Sequence, residues 1–409
     1  MQVARLAEIP WSALPAGVAL PAIARVLGGA AAEREVDRAL RSNRALTGEG
    51  RSATVEAIFG VALWRRRLAW HAGLGWLDGA ATDGPAAYGA TAAQVESHAA
   101  LLLFCLLRDL AGLPEAQACA LTFLAAPPPR RPAPDRLADR WSLPDWLEAH
   151  LQRELPESAE DFCAAVSVPG PVCLRANRLL CTRDELAARL RYEGIATRPG
   201  QLSPDALIVE TRNANLFGAQ AWRDGLFEPQ DEGSQLLGQL VEAQPQDTVL
   251  DLCAGAGGKA LLLASQCRTV FAHDVDRGRL SRLKTRAQRA RAGNIEVAFE
   301  PLPADRVLVD APCSELGILR RGPDARWRIP ESALTAHPPL QLELLTTAAR
   351  CAKTRLVYAT CTLNRGENED VAARFESLHP EFRRARPFLR LLPHESGTDG
   401  FFAAAWDRR

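Results

Sequence analysis

The second half of this chain alternates between short apolar runs and amphipathic stretches, and that alternation restricts its fold more than any other feature. Strand-like runs fall at residues 248–252, 270–273, 295–299, 306–309 and 355–359, separated by helical periodicity at 259–266, 277–292, 331–352 and 367–378. Runs that are apolar throughout belong to strands buried on both faces, and a β-α-β-α order supplies the helices that bury them. The expectation is an α/β domain over residues 236–409, with a mostly parallel, doubly wound sheet of Rossmann-like type. An apolar segment at 401–406 is expected to add an edge strand.

In such a sheet, ligands lie outside the carboxyl ends of the strands. The first strand runs into Asp251-Leu252-Cys253-Ala254-Gly255-Ala256-Gly257-Gly258-Lys259 before a helix opens. Small residues there let a ligand approach the backbone, and amides at the helix start face it. Gly255, Gly257 and Ala260 have dinucleotide-loop spacing, and Asp274 ends the next strand 19 residues after Gly255, where a carboxylate can grip a ribose diol. Cys253, Ala254, Gly255, Ala256, Gly257, Gly258, Lys259 and Asp274 are therefore candidate contacts for a nucleoside-bearing cofactor. The spacing does not separate a nicotinamide dinucleotide from S-adenosylmethionine. A P-loop is disfavoured, because Cys253 stands where its first glycine should be and Ala260 where a hydroxyl should hold magnesium.

Two further strand ends carry cysteines, in Asp310-Ala311-Pro312-Cys313 and Ala359-Thr360-Cys361-Thr362, 48 positions apart. A single strand-end cysteine is more often an inert small hydrophobe. Two on the ligand edge beside a cofactor loop point to covalent catalysis. A thiolate can add to C6 of a pyrimidine, which turns C5 into an enamine-like carbon able to take a methyl group from a sulfonium donor. Loss of the C5 proton then expels the thiolate, a step a second cysteine could assist. Asp310, at the same edge, is placed to hydrogen-bond the base. Cys267 and Cys351 fall in helices and are assigned to the core.

Charge is balanced, 49 basic against 49 acidic residues, so an anionic partner must be met by a local cluster. Residues 277–291 hold Arg277, Arg279, Arg282, Lys284, Arg286, Arg289 and Arg291 with no acidic residue. This run is either a solvated helix face or a nucleic-acid contact. Arg320, Arg321, Arg326 and Arg328 around Trp327 fit phosphate contact plus stacking, or else a salt-bridged loop. Ten cysteines without a Cys-x-x-Cys pair or a His–Cys cluster predict no metal site. With no secretory leader recognisable in residues 1–10, the expected compartment is the reducing cytoplasm. The apolar run at 99–107 falls well short of the ~20 residues that span a bilayer.

Upstream, residues 1–126 are rich in Ala, Leu and Arg with helical periodicity, as in Val36, Leu40, Val55, Ile58, Phe59, Ala62 and Leu63. Residues 127–160 combine a proline-rich connector with a short docking helix entered through Pro144. Residues 161–235 read as a small α+β subdomain.

The glycine-rich loop, the Pro-Cys and Thr-Cys signatures, Asp231-Glu232-Gly233-Ser234-Gln235 and the terminal Asp399-Gly400-Phe401-Phe402 together resemble the RNA 5-methylcytosine methyltransferases of the RsmB (Sun/Fmu) and NOP/Sun group. The resemblance implies a class I methyltransferase domain that takes S-adenosylmethionine. It implies Cys361 as nucleophile, Cys313 as the release cysteine, residues 253–259 and Asp274 as cofactor contacts, and Asp310 as lining both substrates. It makes residues 161–235, with Leu174-Arg175-Ala176-Asn177, an RNA-recognition subdomain, and residues 1–126 similar to a NusB-like accessory domain. Ribosomal RNA is the implied substrate. Four departures stand out: Gly255-Ala256 where the family often has Ala-Pro, Glu315 in place of a common glycine after the Pro-Cys, no Gly-Asp within residues 299–305, and residues 352–355 in place of a Pro-Gly-Gly type turn. Two other readings stay open, an RNA-binding ribosome assembly factor with an impaired cofactor site and a nicotinamide-dependent dehydrogenase.

Overall fold

The computed structural model describes residues 3–74 and 92–409. The chain divides into two compact units, Met1–Pro169 with Leu319–Ser332, and Gly170–Ile318 with Ala333–Arg409.

The first unit is helical, with helices at Ala16–Leu27, Ala32–Ser42, Gly48–Ala72, Ala92–Cys105 and Glu115–Thr122. The long Gly48–Ala72 helix starts where Thr47 Oγ1 accepts from the Gly50 amide and stops at Gly73, whose φ of +72° suits a residue without Cβ. Ile23, Val36, Ile58, Ala62, Leu63, Leu102 and Leu106 share its core, with Leu40, Val55 and Phe59 packed against it. The proline-rich segment is bound down instead of acting as a free spacer. Trp70 donates to the Pro132 carbonyl at 2.9 Å, Arg108 donates to the Pro128 carbonyl at 2.6 Å, and Arg131 lies 4.1 Å over the Trp70 ring. Buried Arg66 bridges to Asp139 and Asp145 at 2.6 Å each, fixing the helix Asp145–Glu154.

The second unit contains two sheets. The smaller is antiparallel, from β1 (Cys173–Ala176), β2 (Thr197–Pro199), β3 (Ala206–Val209) and β4 (Phe227–Pro229) in the order β2-β3-β1-β4. Helix Arg183–Tyr192 packs with it and begins in a capping box between Thr182 and Glu185. The larger sheet is built from β5 (Thr248–Asp251), β6 (Thr269–Ala272), β7 (Ile295–Val297), β8 (Ala304–Asp310), β9 (Ala352–Thr360), β10 (Phe382–Arg384), β11 (Leu389–Leu391) and β12 (Phe401–Arg408). Its order is β10-β12-β9-β8-β5-β6-β7, with β11 also on β12. β5 to β9 pair in parallel, and β12 runs antiparallel to β9, β10 and β11.

Sequence and structure differ at β12. It is an interior strand, not an edge, because both its faces are apolar: Phe401, Ala403 and Ala405 join one core layer while Phe402, Ala404 and Trp406 join the other. The order of the chain reverses between β5 and β8. That switch point opens a crevice at the strand ends, and the loops after these two strands border it.

Candidate active site

The loop after β5 is shaped by its glycines. Gly255 and Gly257 adopt φ of +54° and +89°, and a Cβ on Gly257 would come within 2.7 Å of Leu283 Cγ. A Cβ on Gly255 would meet only Asp274 Oδ2, at 4.0 Å, and one on Gly258 would stand in open space. Asp274 accepts from the Gly255 amide at 2.8 Å and from the Asp276 amide at 2.7 Å. Lys259 donates to Asp310 at 2.6 Å, joining the loops after β5 and β8.

Asp251, at the end of β5, is buried and has no well-formed hydrogen bond on either carboxyl oxygen. Desolvation first, then the neighbouring Asp310, pushes its carboxyl up to about 7, against a smaller opposing pull from Lys259. Burial also raises Cys253 far above the ordinary thiol range, with the neighbouring Asp251, Asp310 and Asp274 adding to the shift.

Cys313 and Cys361 come together. Their sulfurs are 3.3 Å apart, and the Cys361 amide lies 3.4 Å from Cys313 Sγ. β8 and β9 are neighbours, with Asp310 paired to Ala359, so the two signatures leave the sheet side by side. The Cys361 thiol is held well above its ordinary pKa, first by the hydrogen bond with Cys313, then by burial and by the charges of Asp310 and Glu315. Glu315, immediately before the helical turn that starts at Leu316, carries φ of +60°, a left-handed conformation in which a glycine would be unstrained. Gly317 lies against backbone on two sides: its amide donates to the Cys361 carbonyl at 2.9 Å, and its carbonyl accepts from the Gly400 amide at 2.8 Å.

A clamp that the sequence did not announce fixes this pair. Fully buried Glu367 accepts from the Ser314 amide at 2.9 Å, from the Ser314 hydroxyl, and from Gln341 and Asn364 at 3.0 Å each. Ser314 follows Cys313, and its hydroxyl meets that of Thr362, which follows Cys361, at 2.8 Å. Asn368 donates to the Thr362 carbonyl, and Gln341 to that of Pro312, at 3.0 Å each. The helix Ala333–Cys351 contains Pro338, which cannot donate to the Leu334 carbonyl four residues back. Asn364 donates there instead, at 3.0 Å. The available signal was the cluster of Asn364, Glu367 and Asn368 just after Thr-Cys, polar residues that the structure buries, the last two at the start of the helical stretch expected over 367–378.

The structure divides the basic run. Arg286 and Arg289 turn inward onto buried Glu228, while Arg277, Arg279, Arg282, Lys284 and Arg291 are exposed. The proposed phosphate-and-stacking cluster near Trp327 is corrected more sharply. Arg326 is fully buried in the helical unit, donating to the carbonyls of Trp141 at 2.8 Å and Val166 at 3.1 Å, and Trp327 is covered by Arg65 at 3.9 Å. Their donors and ring serve packing of that unit, and Arg328 pairs with Asp324 at 3.4 Å. Among the described residues, no group of His, Cys, Asp and Glu could hold a metal ion, and no helix is long and apolar enough to cross a membrane.

Counting from its own first strand and leaving aside the short β11, the large sheet reads 6-7-5-4-1-2-3 with strand 7 reversed, and with a glycine-rich turn after strand 1 and an aspartate after strand 2 it defines a class I methyltransferase fold. Residues 238–407 match the family of 16S rRNA methyltransferases RsmB/F, and residues 143–214 match the ferredoxin-like domain of RsmF/B-like methyltransferases. The chain belongs to the RsmB/F family. It is 31% identical over 313 residues to the probable ribosomal RNA small subunit methyltransferase B of Bacillus subtilis, a match covering 69% of each chain. The ribosomal RNA small subunit methyltransferase B of Serratia proteamaculans is 32% identical over 286 residues, covering 65% of this chain and 66% of that one. Among solved structures, PH0851 superposes with a TM-score of 0.75 at 22% identity, over 96% of this chain and 99% of that one. NSun6 from Pyrococcus horikoshii gives 0.58 at 18% identity, over 65% and 98%. These two share the fold.

Proposed function

We propose that this methyltransferase transfers a methyl group from S-adenosylmethionine to C5 of a cytosine in ribosomal RNA, with Cys361 as nucleophile and Cys313 assisting release. The observation that carries this reading is the pair of sulfurs 3.3 Å apart at the ends of neighbouring strands, on the edge where the glycine-rich loop also opens.

The cofactor fits the residues present. Asp251 feels the charges of both Asp310 and Asp274, and the one lysine nearby, Lys259, is paired with Asp310, a surplus of carboxylates suited to a ligand bearing a sulfonium and an ammonium group. The same surplus repels the pyrophosphate of a nicotinamide dinucleotide, which disfavours the dehydrogenase reading. Cys253 to Lys259 would border the cofactor and Asp274 would take its ribose, and the bound sulfonium supplies an electrophilic methyl carbon. The protein's part is to hold and move protons at sulfur. Cys361 must lose its proton to add to C6; Cys313 Sγ lies 3.3 Å away and, as a thiolate, would take that proton. Addition makes C5 nucleophilic; after methylation a base takes the C5 proton, its electron pair restores the C5–C6 double bond and the Cys361 sulfur leaves as a thiolate. The second carboxyl oxygen of Asp310, opposite the one on Lys259, is the group we assign to the base edge. A stacked cytosine is out of reach of this crevice, so the target is an unpaired or flipped base, and the subdomain at residues 161–235 is our candidate for recognising the RNA around it.

The test is Cys313→Ala protein incubated with total RNA and S-adenosylmethionine. A denaturation-resistant protein–RNA adduct is expected, and it should vanish when Cys361→Ala is added. If the protein binds cofactor yet forms no adduct, and wild type methylates no RNA, the assembly-factor reading replaces this one.

A further inference from the structure

The Leu174-Arg175-Ala176-Asn177 stretch on β1 has no place in the chemistry above, yet its two polar side chains reach toward the methyltransferase sheet. Arg175 is buried, and its Nη1 donates to the Gly258 carbonyl at 2.8 Å and to Gln230. Asn177 donates to the carbonyls of Gly225 at 2.9 Å and Ala290 at 2.8 Å, latching the small sheet to the end of helix Arg277–Arg289. From that helix, Arg286 donates to the Ala256 carbonyl at 2.7 Å and to Glu228 of β4 at 2.8 Å. Arg289 binds the other oxygen of Glu228 and lies 3.2 Å over the Trp222 ring. Two guanidinium groups thus grip two carbonyls of the glycine-rich loop, and one carboxylate of the small sheet, Glu228, orients the second of them.

A peptide unit is planar, so a held carbonyl fixes the direction of the next amide. Arg286 through Ala256 sets the Gly257 amide, which donates to the Ala254 carbonyl at 2.8 Å. Arg175 through Gly258 sets the Lys259 amide and the start of the Lys259 side chain, whose ammonium holds Asp310. A loop made of Gly255, Ala256, Gly257 and Gly258 has little stiffness of its own, and here the usual proline is absent. The stiffness has to come from outside it.

We propose that Arg175 and Arg286 are positioning residues for the cofactor loop, so that the small antiparallel sheet governs cofactor affinity through them. The proposal rests on the reading of this loop as the S-adenosylmethionine site. Burial lowers the Arg175 pKa to about 10, which leaves it charged at neutral pH and able to hold the carbonyl by a charge-assisted bond.

The test uses the full chain and titrates S-adenosylhomocysteine by calorimetry into wild type, Arg286→Met, Arg175→Lys and Arg282→Ala. Arg286 is partly exposed, and buried Glu228 keeps Arg289 as a partner when it is lost; Arg282 is exposed on the same helix. Dissociation constants should rise about tenfold in Arg286→Met and Arg175→Lys, as for loss of one charge-assisted bond, and stay at the wild-type value in Arg282→Ala. In turnover, the KM for S-adenosylmethionine should rise while kcat stays within about twofold, whereas a purely structural defect lowers kcat and melting temperature without moving KM. Wild-type affinity in folded Arg286→Met overturns the proposal. Failure of wild type itself to bind S-adenosylhomocysteine overturns the cofactor reading instead, so the two failures are told apart.

Discussion

The loops that border the switch point are built in opposite ways. Around the cysteines, hydrogen bonds converge: Glu367 alone accepts from Ser314, Gln341 and Asn364, and the residues after the two cysteines are joined hydroxyl to hydroxyl. Around the glycine-rich loop the backbone is held by Arg175, Arg286 and Asp274, but the carboxylates crowd together, and Asp251 is left buried beside Asp310 and Asp274 with no well-formed hydrogen bond on either oxygen. A site that must place two sulfurs within an ångström gains from being finished before substrate arrives. A site that must take up and release a cation gains from being incomplete without it, since binding then relieves a cost the free protein carries.

The sharpest way to break this contrast is Glu367→Gln. The substitution keeps the size of the side chain but turns an amide donor toward partners that are donors themselves. Expected are a loss of about 3 kcal/mol in unfolding free energy, seen by chemical denaturation, and a fall in methyl transfer on the order of a hundredfold in the protein that remains folded. Full activity in folded Glu367→Gln would mean that the clamp stabilises the strand ends without setting the sulfurs.

Next in size is the pH response of the cofactor side. Asp251 titrates at about 7 in the folded protein, against about 3.9 for an ordinary aspartate. Between those values the folded chain keeps a proton the unfolded chain has released, so this group's contribution to stability falls as pH rises from about 4 to 7 and is flat above. A cationic ligand favours the ionised form, and its affinity runs the other way. S-adenosylmethionine should bind roughly tenfold more tightly at pH 7.5 than at pH 5.5, and Asp251→Asn should flatten the profile. A flat profile in wild type would place the cofactor's charge elsewhere.

The contrast also explains what could be read from the sequence. β5, β6, β8 and β9 announce themselves because interior strands of the sheet carry apolar runs, β7 at the edge carries Glu296 between two apolar residues, and Asp251, Asp274, Asp310 and Cys361 fall at or just past strand ends. β10, β11, β2 and β4 do not, being three residues each and bearing Arg383, Arg384, Arg390, Arg198 or Glu228, and their existence depends on a partner strand. The interior place of β12 was readable in principle from its two apolar faces, yet its position at the end of the chain suggested an edge. Arginine was the least legible residue type. Arg175, Arg286 and Arg326 look like surface charge in a sequence, and each is directed inward by carbonyls or carboxylates that only the fold brings near.

The smallest expected effect concerns Glu315, where the chain departs from the resembling family by using a side chain at φ of +60°. The left-handed conformation costs about 1–2 kcal/mol for a residue with a Cβ, and part of the gain on changing it to glycine is offset by the greater freedom of glycine in the unfolded chain. Glu315→Gly should therefore stabilise the protein by about 0.5 kcal/mol, a shift of a degree or two in melting temperature. The same carboxylate is one of the charges raising the Cys361 thiol, so its removal should also speed alkylation of Cys361 by iodoacetamide at fixed pH. Glu315→Gln separates the two effects, since it keeps the strained backbone and removes the charge. If Glu315→Gln alkylates as fast as Glu315→Gly yet melts like wild type, strain and electrostatics at this position are independent; if it alkylates like wild type, the thiol is governed by Cys313, burial and Asp310.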